Sequence, residues 1–145
     1  MAVTNSAILI LGASGDLAKR KLIPALEALY EKNEIDDTCR IIGSGRTPFS
    51  DEEFRAHFNR HEEFSRLLHY HQGIEGVREF ILSLKKFERI IIFFSLPPRV
   101  YGSTAEALYR EGFREETTLI IEKPFGYDLE SARELNQQLQ HYFDE

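Results

Sequence analysis

The sequence predicts an α/β fold in which a mostly parallel sheet carries helices on both faces. Short apolar runs typical of buried strands alternate with segments whose apolar residues recur at helical spacing. The first strand also passes into a helix through a turn of small residues, at positions 12–18. No internal repeat or low-complexity linker interrupts the 145 residues, a length that suits one domain, residues 1–145, with one continuous core.

The first predicted unit is a strand, a helix and a second strand. Residues 7–11 are apolar and long enough for a buried strand, and a helix is expected from the glycine turn to about Glu31. Pro24 lies inside the helical pattern and predicts a kink or local distortion. The second strand, residues 40–43, ends in a turn that carries Arg46.

A second helix is predicted to begin after Ser50. Ser50 and Glu53 have the spacing of a capping box, and Phe49 and Phe54 occupy the two positions of a hydrophobic staple. The apolar side of this helix is assigned to four residues: Phe54, Phe58, Leu67 and Leu68.

Three more strands are expected, at residues 69–73, 89–96 and 117–122. The strand at 89–96 is continuous and β-branched, as for a central parallel strand buried on both faces. Further helices are expected at 77–84, from 101 to about Gly112, and after a cap at Asp128. Right-handed crossovers between these elements give a doubly wound sheet of the Rossmann type.

Composition excludes several classes of protein. The net charge of −6 argues against a nucleic-acid-binding protein, and Cys39 alone supports neither a disulfide framework nor a cysteine-rich zinc site. No apolar run has the length of a membrane span, and the N-terminus lacks the pattern of a signal peptide. We therefore expect a cytoplasmic protein with no membrane or nucleic-acid partner.

The glycine turn is the first candidate site. A strand, a small-residue turn and a helix in that order bring backbone N–H groups and a helix N-terminus together, which favours a phosphate or pyrophosphate. Gly12 permits the tight turn, Gly15 permits backbone approach to a ligand, and Ala18 permits close helix packing. The spacing G-x-x-G-x-x-A is one residue longer than the usual dinucleotide fingerprint, and it is not a P-loop.

Arg46 indicates which dinucleotide is bound. In NAD-specific domains the second strand usually ends in an acid that binds the ribose 2′-hydroxyl, but residues 41–47 contain no Asp or Glu. A guanidinium matches a phosphate in charge and geometry, so Arg46 favours NADP. The alternative is a solvated arginine in a surface turn.

Two lysines are candidates for ligand contact, Lys21 with an anion and Lys123 with a substrate oxygen. Lys21 lies at the start of the first predicted helix beside two other cations, which indicates either a nearby anion or simple solvation. Asp16, in the same turn, is either a capping acid or a ligand contact. Lys123 follows the last strand, where doubly wound sheets bind ligands, and Pro124 restricts it to an extended backbone. The alternative for Lys123 is a lysine that extends into solvent.

The histidines favour surface roles over catalysis or metal binding. His57 and His61 have the i, i+4 spacing of a helical metal pair, but no third ligand is evident. His69 and His71 alternate as on one face of a strand. We predict no metal site.

Three segments together resemble the glucose-6-phosphate dehydrogenase family. They are the Gly-Ala-Ser-Gly-Asp-Leu-Ala-Lys-Arg-Lys-Leu motif at 12–22, Ser-Leu-Pro-Pro at 95–98 followed by Tyr101, and Ile-Glu-Lys-Pro-Phe-Gly at 121–126. The resemblance implies NADP-dependent oxidation of C1 of glucose 6-phosphate to a 6-phosphoglucono-lactone, in the pentose phosphate pathway. It implies that Lys123 binds the sugar and that Lys21 lies near substrate and cofactor. The cofactor-binding residues it implies are Gly12, Ser14, Gly15, Asp16, Leu17, Arg46, Pro97 and Pro98.

The chain departs from the family pattern in three respects. The segment between Arg46 and Ile90 is short, and Phe94 stands near the place of a usual tyrosine. The sequence also ends before the family's sugar-phosphate segment and the antiparallel-sheet domain with its general-base histidine. Since removing a hydroxyl proton needs a base, we expect little activity from this chain without that domain or a complementary chain. The sequence does not fix the oligomeric state, and a homo-oligomer is one option.

Three alternatives stay open at this point. A glucose–fructose oxidoreductase also has Glu-Lys-Pro after its dinucleotide-binding domain, but its first turn is normally G-x-G-x-x-G. A regulatory module would bind NADP without catalysis. A degenerate doubly wound domain would bind no nucleotide.

Overall fold

The computed structural model describes residues 3–13, 15, 18–114 and 117–121. Its five strands are β1 (Ser6–Leu11), β2 (Arg40–Gly45), β3 (Leu68–Gln72), β4 (Arg89–Phe94) and β5 (Thr117–Ile121). Its α-helices are α1 (Ile23–Glu31), α2 (Asp51–Phe58), α3 (Glu62–Ser65), α4 (Val77–Leu84) and α5 (Tyr101–Glu111). A π-helical turn, Ala18–Leu22, precedes α1, and a short 3₁₀ helix, Pro98–Val100, precedes α5.

All four strand pairings are parallel, and the strand order is β3-β2-β1-β4-β5. The chain adds strands outward from β1 to β3, then crosses back and continues from β4 to β5. This order is that of a doubly wound sheet. The predicted fold class is confirmed.

Each face of the sheet has its own apolar core. One side of β1, represented by Ile8 and Ile10, packs with α1, α2 and α3, while the other side, represented by Leu9, packs with α4 and α5. Every residue of β1 is buried, as expected for a central strand covered on both faces.

The prediction that the strand at 89–96 is buried on both faces is wrong in part. The strand ends at Phe94, and its burial alternates. Ile90, Ile92 and Phe94 are buried on the side of α4 and α5, whereas Ile91 and Phe93 are only partly buried on the other side. The described helices of that second side, α1 to α3, pack mainly over β1, β2 and β3.

The start of α2 is the one the sequence predicts. The Ser50 hydroxyl accepts from the Glu53 N–H at 3.1 Å, and the Glu53 carboxylate accepts from the Ser50 N–H at 2.9 Å. The rings of Phe49 and Phe54 lie 6.1 Å apart, completing the staple.

The prediction that this helix continues to Leu68 is wrong. It ends at Phe58, where Asn59 has left-handed backbone dihedrals (φ 49°, ψ 53°), a region that asparagine tolerates better than most residues. Leu67 follows the short α3, and Leu68 begins β3. Since His57 lies on α2 and His61 precedes α3, these two histidines do not form an i, i+4 pair on one helix.

The first predicted helix is irregular at its start. Residues 18–22 form a π-helical turn, and regular α-helix begins only at Ile23. Pro24 is therefore in the first turn of α1, a position that suits its fixed φ of about −65°. The expected distortion is present, but it precedes Pro24.

Side chains from α2 bond the outer edge of β3. Asp51 accepts from the Tyr70 N–H at 2.8 Å, and Arg55 donates to the Leu68 carbonyl at 2.9 Å. Asp51 also bonds Nδ1 of His69 at 2.8 Å. The helix predicted after Asp128 lies outside the described residues.

Candidate cofactor site

The direction in which strands are added to the sheet reverses between β1 and β4. The turns that follow these strands diverge there, and ligands of doubly wound sheets bind in the crevice that results at the carboxyl edge. The turns after β1, β2 and β4 all lie at this edge, and they contain most of the predicted site residues.

The turn after β1, called the β1 turn (residues 12–18), is bound to β2 through its backbone. The N–H groups of Gly12 and Ala13 both donate to the carbonyl oxygen of Ser44, at 2.8 and 3.0 Å. The Gly15 N–H donates to the Gly12 carbonyl at 3.1 Å. These three donors therefore already have acceptors within the fold.

Gly12 is required by two independent features. Its φ of 82° lies in the left-handed region, and a Cβ at this position would lie far inside van der Waals contact with the Ser95 carbonyl oxygen and 3.0 Å from Leu96 Cδ2. The Ser95 N–H in turn donates to the Leu11 carbonyl at 2.9 Å. The predicted tight turn is confirmed, and it is packed directly against the segment that follows β4.

The backbone at Gly15 is open. Gly15 is exposed, and among the described residues a Cβ built there would meet the Gly12 carbonyl oxygen alone, at 3.3 Å. A ligand can therefore approach this backbone closely, which is the role that the sequence predicts for Gly15.

The turn after β2, called the β2 turn (residues 46–48), is held by side chains of β3. Arg46 directly follows β2 and is exposed. Gln72 donates to the Arg46 carbonyl at 3.0 Å, and the Tyr70 hydroxyl donates to the Thr47 carbonyl at 2.5 Å. Hydrogen bonds from these side chains to backbone carbonyls fix the path of this turn. The Arg46 guanidinium is left at the surface.

The remaining described candidates lie near the same edge. Pro97 is exposed and extended (φ −62°, ψ 143°), and Pro98 begins the 3₁₀ helix that leads into α5. Lys21 is exposed on the π-helical turn. The structure brings Gly12 against Ser95 and Leu96, which directly precede Pro97. The binding roles of Gly12, Gly15, Lys21, Arg46, Pro97 and Pro98 stay predictions, and Ser14, Asp16, Leu17 and Lys123 lie outside the described residues.

Sequence reasoning missed the residues that support these turns. Ser44 is buried, and its carbonyl oxygen accepts from two of the N–H groups of the β1 turn. Its hydroxyl donates to the Gly73 carbonyl at 2.7 Å. Gly43 allows Phe54 to pack on β2, and a Cβ there would also lie 2.8 Å from Ala13 Cβ. A glycine inside a strand often marks a close approach, so Gly43 carried a usable signal. The sequence carried no comparable signal that Tyr70 and Gln72 would support the β2 turn.

The residues of this edge fit a dinucleotide and its phosphate groups. The β1 turn offers an open backbone at Gly15, the β2 turn offers an exposed guanidinium, and residues 41–47 contain no carboxylate that would repel a phosphate.

Comparison with known proteins identifies the family. The family model described as glucose-6-phosphate dehydrogenase, NAD binding domain, matches residues 9–145. The chain belongs to the glucose-6-phosphate dehydrogenase family. It represents the NAD-binding domain of that family, and the resemblance drawn from its three motifs is confirmed.

Curated members of the glucose-6-phosphate dehydrogenase family align along nearly the whole chain. Glucose-6-phosphate 1-dehydrogenase of Bacillus subtilis is 32% identical over 164 residues, covering 97% of this chain and 34% of the relative. The enzyme of Saccharomyces cerevisiae is 33% identical over 169 residues, covering 97% and 34%. The chain therefore spans about a third of the length of these oxidoreductases.

Solved glucose-6-phosphate dehydrogenases have the same fold. One, in complex with its substrate glucose-6-phosphate, matches with a TM-score of 0.82 and 30% identity over 99% of this chain and 36% of that protein. The glucose-6-phosphate 1-dehydrogenase of Mycobacterium avium matches with a TM-score of 0.83 at 24% identity, over 98% of this chain and 34% of that protein. Within the described part of this chain, no helix is both long and apolar enough to cross a bilayer.

Proposed function

We propose that this chain is the NADP-binding domain of a glucose-6-phosphate 1-dehydrogenase of the cytoplasm. In this proposal the β1 turn, with Gly12, Ser14, Gly15, Asp16 and Leu17, binds the pyrophosphate, and Pro97 and Pro98 form the nicotinamide side of the crevice. When bound, NADP accepts the hydride from C1 of glucose 6-phosphate. Lys123 binds the sugar, and Lys21 lies near both ligands.

The position of Arg46 carries the choice of NADP. Ser44, two residues before Arg46, accepts both N–H groups of the β1 turn, so the turn expected to bind pyrophosphate and the exposed guanidinium are linked through one short segment. An arginine here pairs with a ribose 2′-phosphate and has no comparable partner in NAD.

Catalysis requires more than this domain in the proposal. The chain spans about a third of its curated relatives, and we assign proton removal from the C1 hydroxyl to a further domain or a complementary chain. The described residues contribute the binding of the cofactor and its orientation at the carboxyl edge.

Titration of NADP and NAD tests the proposal. NADP is expected to bind more tightly, and Arg46→Ala is expected to weaken NADP binding roughly 10- to 150-fold, since hydrogen bonds to charged groups contribute about 1.5–3 kcal/mol. Binding of NAD should stay nearly constant.

Arg89→Ala is the matched control. Arg89 is also exposed, but it begins β4 at the opposite edge of the sheet, so its loss should leave both affinities unchanged. Equal affinities for NADP and NAD in the unaltered chain and in Arg46→Ala would contradict the assignment.

A further inference from the structure

A second polar cluster lies away from the cofactor edge, between α1 and α3. A cleft of about 390 Å³ is lined there by Glu27, Glu31, Glu62 and Glu63 together with His61. Among the described residues that line this cleft, none is a lysine or an arginine.

Three of these side chains have potential metal-ligand atoms that lie close together. Glu27 and Glu31 are one turn apart on α1, and His61 directly precedes α3. Their ligand atoms all lie within 4.8 Å of one another, and His61 Nε2 is 3.9 Å from Glu31 Oε1. Ligands bound to one zinc ion at about 2.0–2.2 Å are roughly 3.4 Å apart in a tetrahedral site. Small side-chain rotations would close the difference.

The two outer ligands are free to make these rotations. The side chains of Glu31 and His61 are 58% and 79% exposed. Glu27 is the fixed member, since only 4% of it is exposed.

Hydrogen bonds orient the Glu27 carboxylate without using all of its acceptor capacity. Oε1 accepts from Nε and Nη2 of Arg60, at 2.9 and 2.5 Å, and Oε2 accepts from the His61 N–H at 3.0 Å. Because each carboxylate oxygen has two lone pairs, Oε2 retains one for a further partner. The charge of Arg60 opposes a cation here, and Arg66 pairs with Glu62 at 3.6 Å. The carboxylates of Glu31 and Glu63 supply the remaining negative charge that favours a cation in the cleft.

We propose that Glu27, Glu31 and His61 form a binding site for a first-row divalent transition-metal ion, with Zn²⁺ as the clearest case. One imidazole and two carboxylates form a donor set that suits Zn²⁺, whereas Mg²⁺ and Ca²⁺ prefer oxygen donors alone. The ion joins α1 to the start of α3. It therefore stabilises the side of the fold that carries the first two crossovers and takes no part in the cofactor chemistry.

Calorimetric titration of Zn²⁺ into the metal-free 145-residue chain tests this site. One ion per chain is expected, and Co²⁺ bound in its place should show the visible absorption of nitrogen and oxygen coordination. His61→Ala and Glu31→Gln should each weaken Zn²⁺ binding at least about tenfold. A free Zn²⁺ concentration of 100 times its Kd should raise the folding equilibrium constant roughly 100-fold.

Glu52→Gln is the control for lost charge. Glu52 is an exposed acid on α2 outside the cleft, so its change should leave Zn²⁺ binding intact. Binding that survives both His61→Ala and Glu31→Gln would overturn the site, and so would the absence of Zn²⁺ binding. Equal affinity for Mg²⁺ or Ca²⁺ would overturn its assignment to a transition metal.

Discussion

The β1 turn and the β2 turn lie side by side at the carboxyl edge, but different groups hold them. The β1 turn is fixed by main chain on two sides, because Gly12 and Ala13 donate to Ser44 and the Ser95 carbonyl packs against Gly12. A side chain larger than hydrogen does not fit at Gly12.

The β2 turn depends instead on its neighbour's side chains. Tyr70 and Gln72 of β3 donate to the carbonyls of Thr47 and Arg46. The side chains of the turn itself, at residues 46–48, are exposed. In the proposed function, the β1 turn binds the pyrophosphate that NADP and NAD share, and the β2 turn distinguishes between the two dinucleotides.

The largest effect is expected from breaking the first turn. Gly12→Ala combines positive-φ strain with a clash against main chain that cannot move without distorting β4, so we expect a loss of more than about 3 kcal/mol in the free energy of unfolding. Urea denaturation of the chain measures this.

Comparison with Gly73→Ala separates the backbone strain at Gly12 from the clash with main chain. Gly73 has a φ of 75°, but a Cβ there would have no atom of the described part of the chain within 4 Å. Gly73→Ala should therefore lower the free energy of unfolding by the backbone strain alone, about 1 kcal/mol. Similar losses for the two variants would show that the contact with Ser95 is unimportant.

An intermediate effect is expected at Gly43, a residue of β2 that lies against Ala13 of the β1 turn. A Cβ there would press on the Phe54 ring and on Ala13, and overpacking of this kind costs about 1–3 kcal/mol. Phe54→Leu removes the ring, so the double variant should lose less stability than the sum of the two single changes. Simple additivity would mean that the added methyl strains Ala13 and the β1 turn.

The smallest effect is expected from loosening the second turn. Tyr70→Phe removes the hydrogen bond to Thr47, which should cost about 1 kcal/mol of stability and weaken NADP binding several-fold without affecting NAD. Burial raises the pKa of Tyr70 above its usual value of 10. Its stabilising contribution is therefore complete below pH 10 and is lost as the pH rises from there toward the folded-state pKa. Urea denaturation at pH values from about 8 to about 11, a range around the tyrosine pKa, should show this. The free energy of unfolding should fall less steeply with pH in Tyr70→Phe than in the unaltered chain. An equal loss of NAD binding would argue against a role in discrimination.

Local patterns predicted the elements well where their causes are local. The capping box of Ser50 and Glu53 and the αL ending of α5 at Gly112 depend on residues a few positions apart. The end of α2 at Asn59 was missed because the apolar residues beyond it, Leu67 and Leu68, fit a helical pattern and a strand pattern equally well.

Contacts between distant residues set the limit of the site prediction. The small residues of the β1 turn and the cation at position 46 were visible in the sequence. The carbonyl of Ser95 against Gly12 and the bond from Gln72 to Arg46 join segments that only the folded sheet brings together. The pair formed by Glu27 and Arg60, 33 positions apart, was hidden for the same reason.

The bonds from α2 to the outer edge of β3 also bear on how copies of this domain meet. A bare edge strand offers a row of unpaired N–H and carbonyl groups to which a strand of another molecule can add. Here the Tyr70 N–H and the Leu68 carbonyl are already bonded by Asp51 and Arg55. A foreign strand would have to displace two charged side chains at once, so this border of the sheet resists edge-to-edge aggregation.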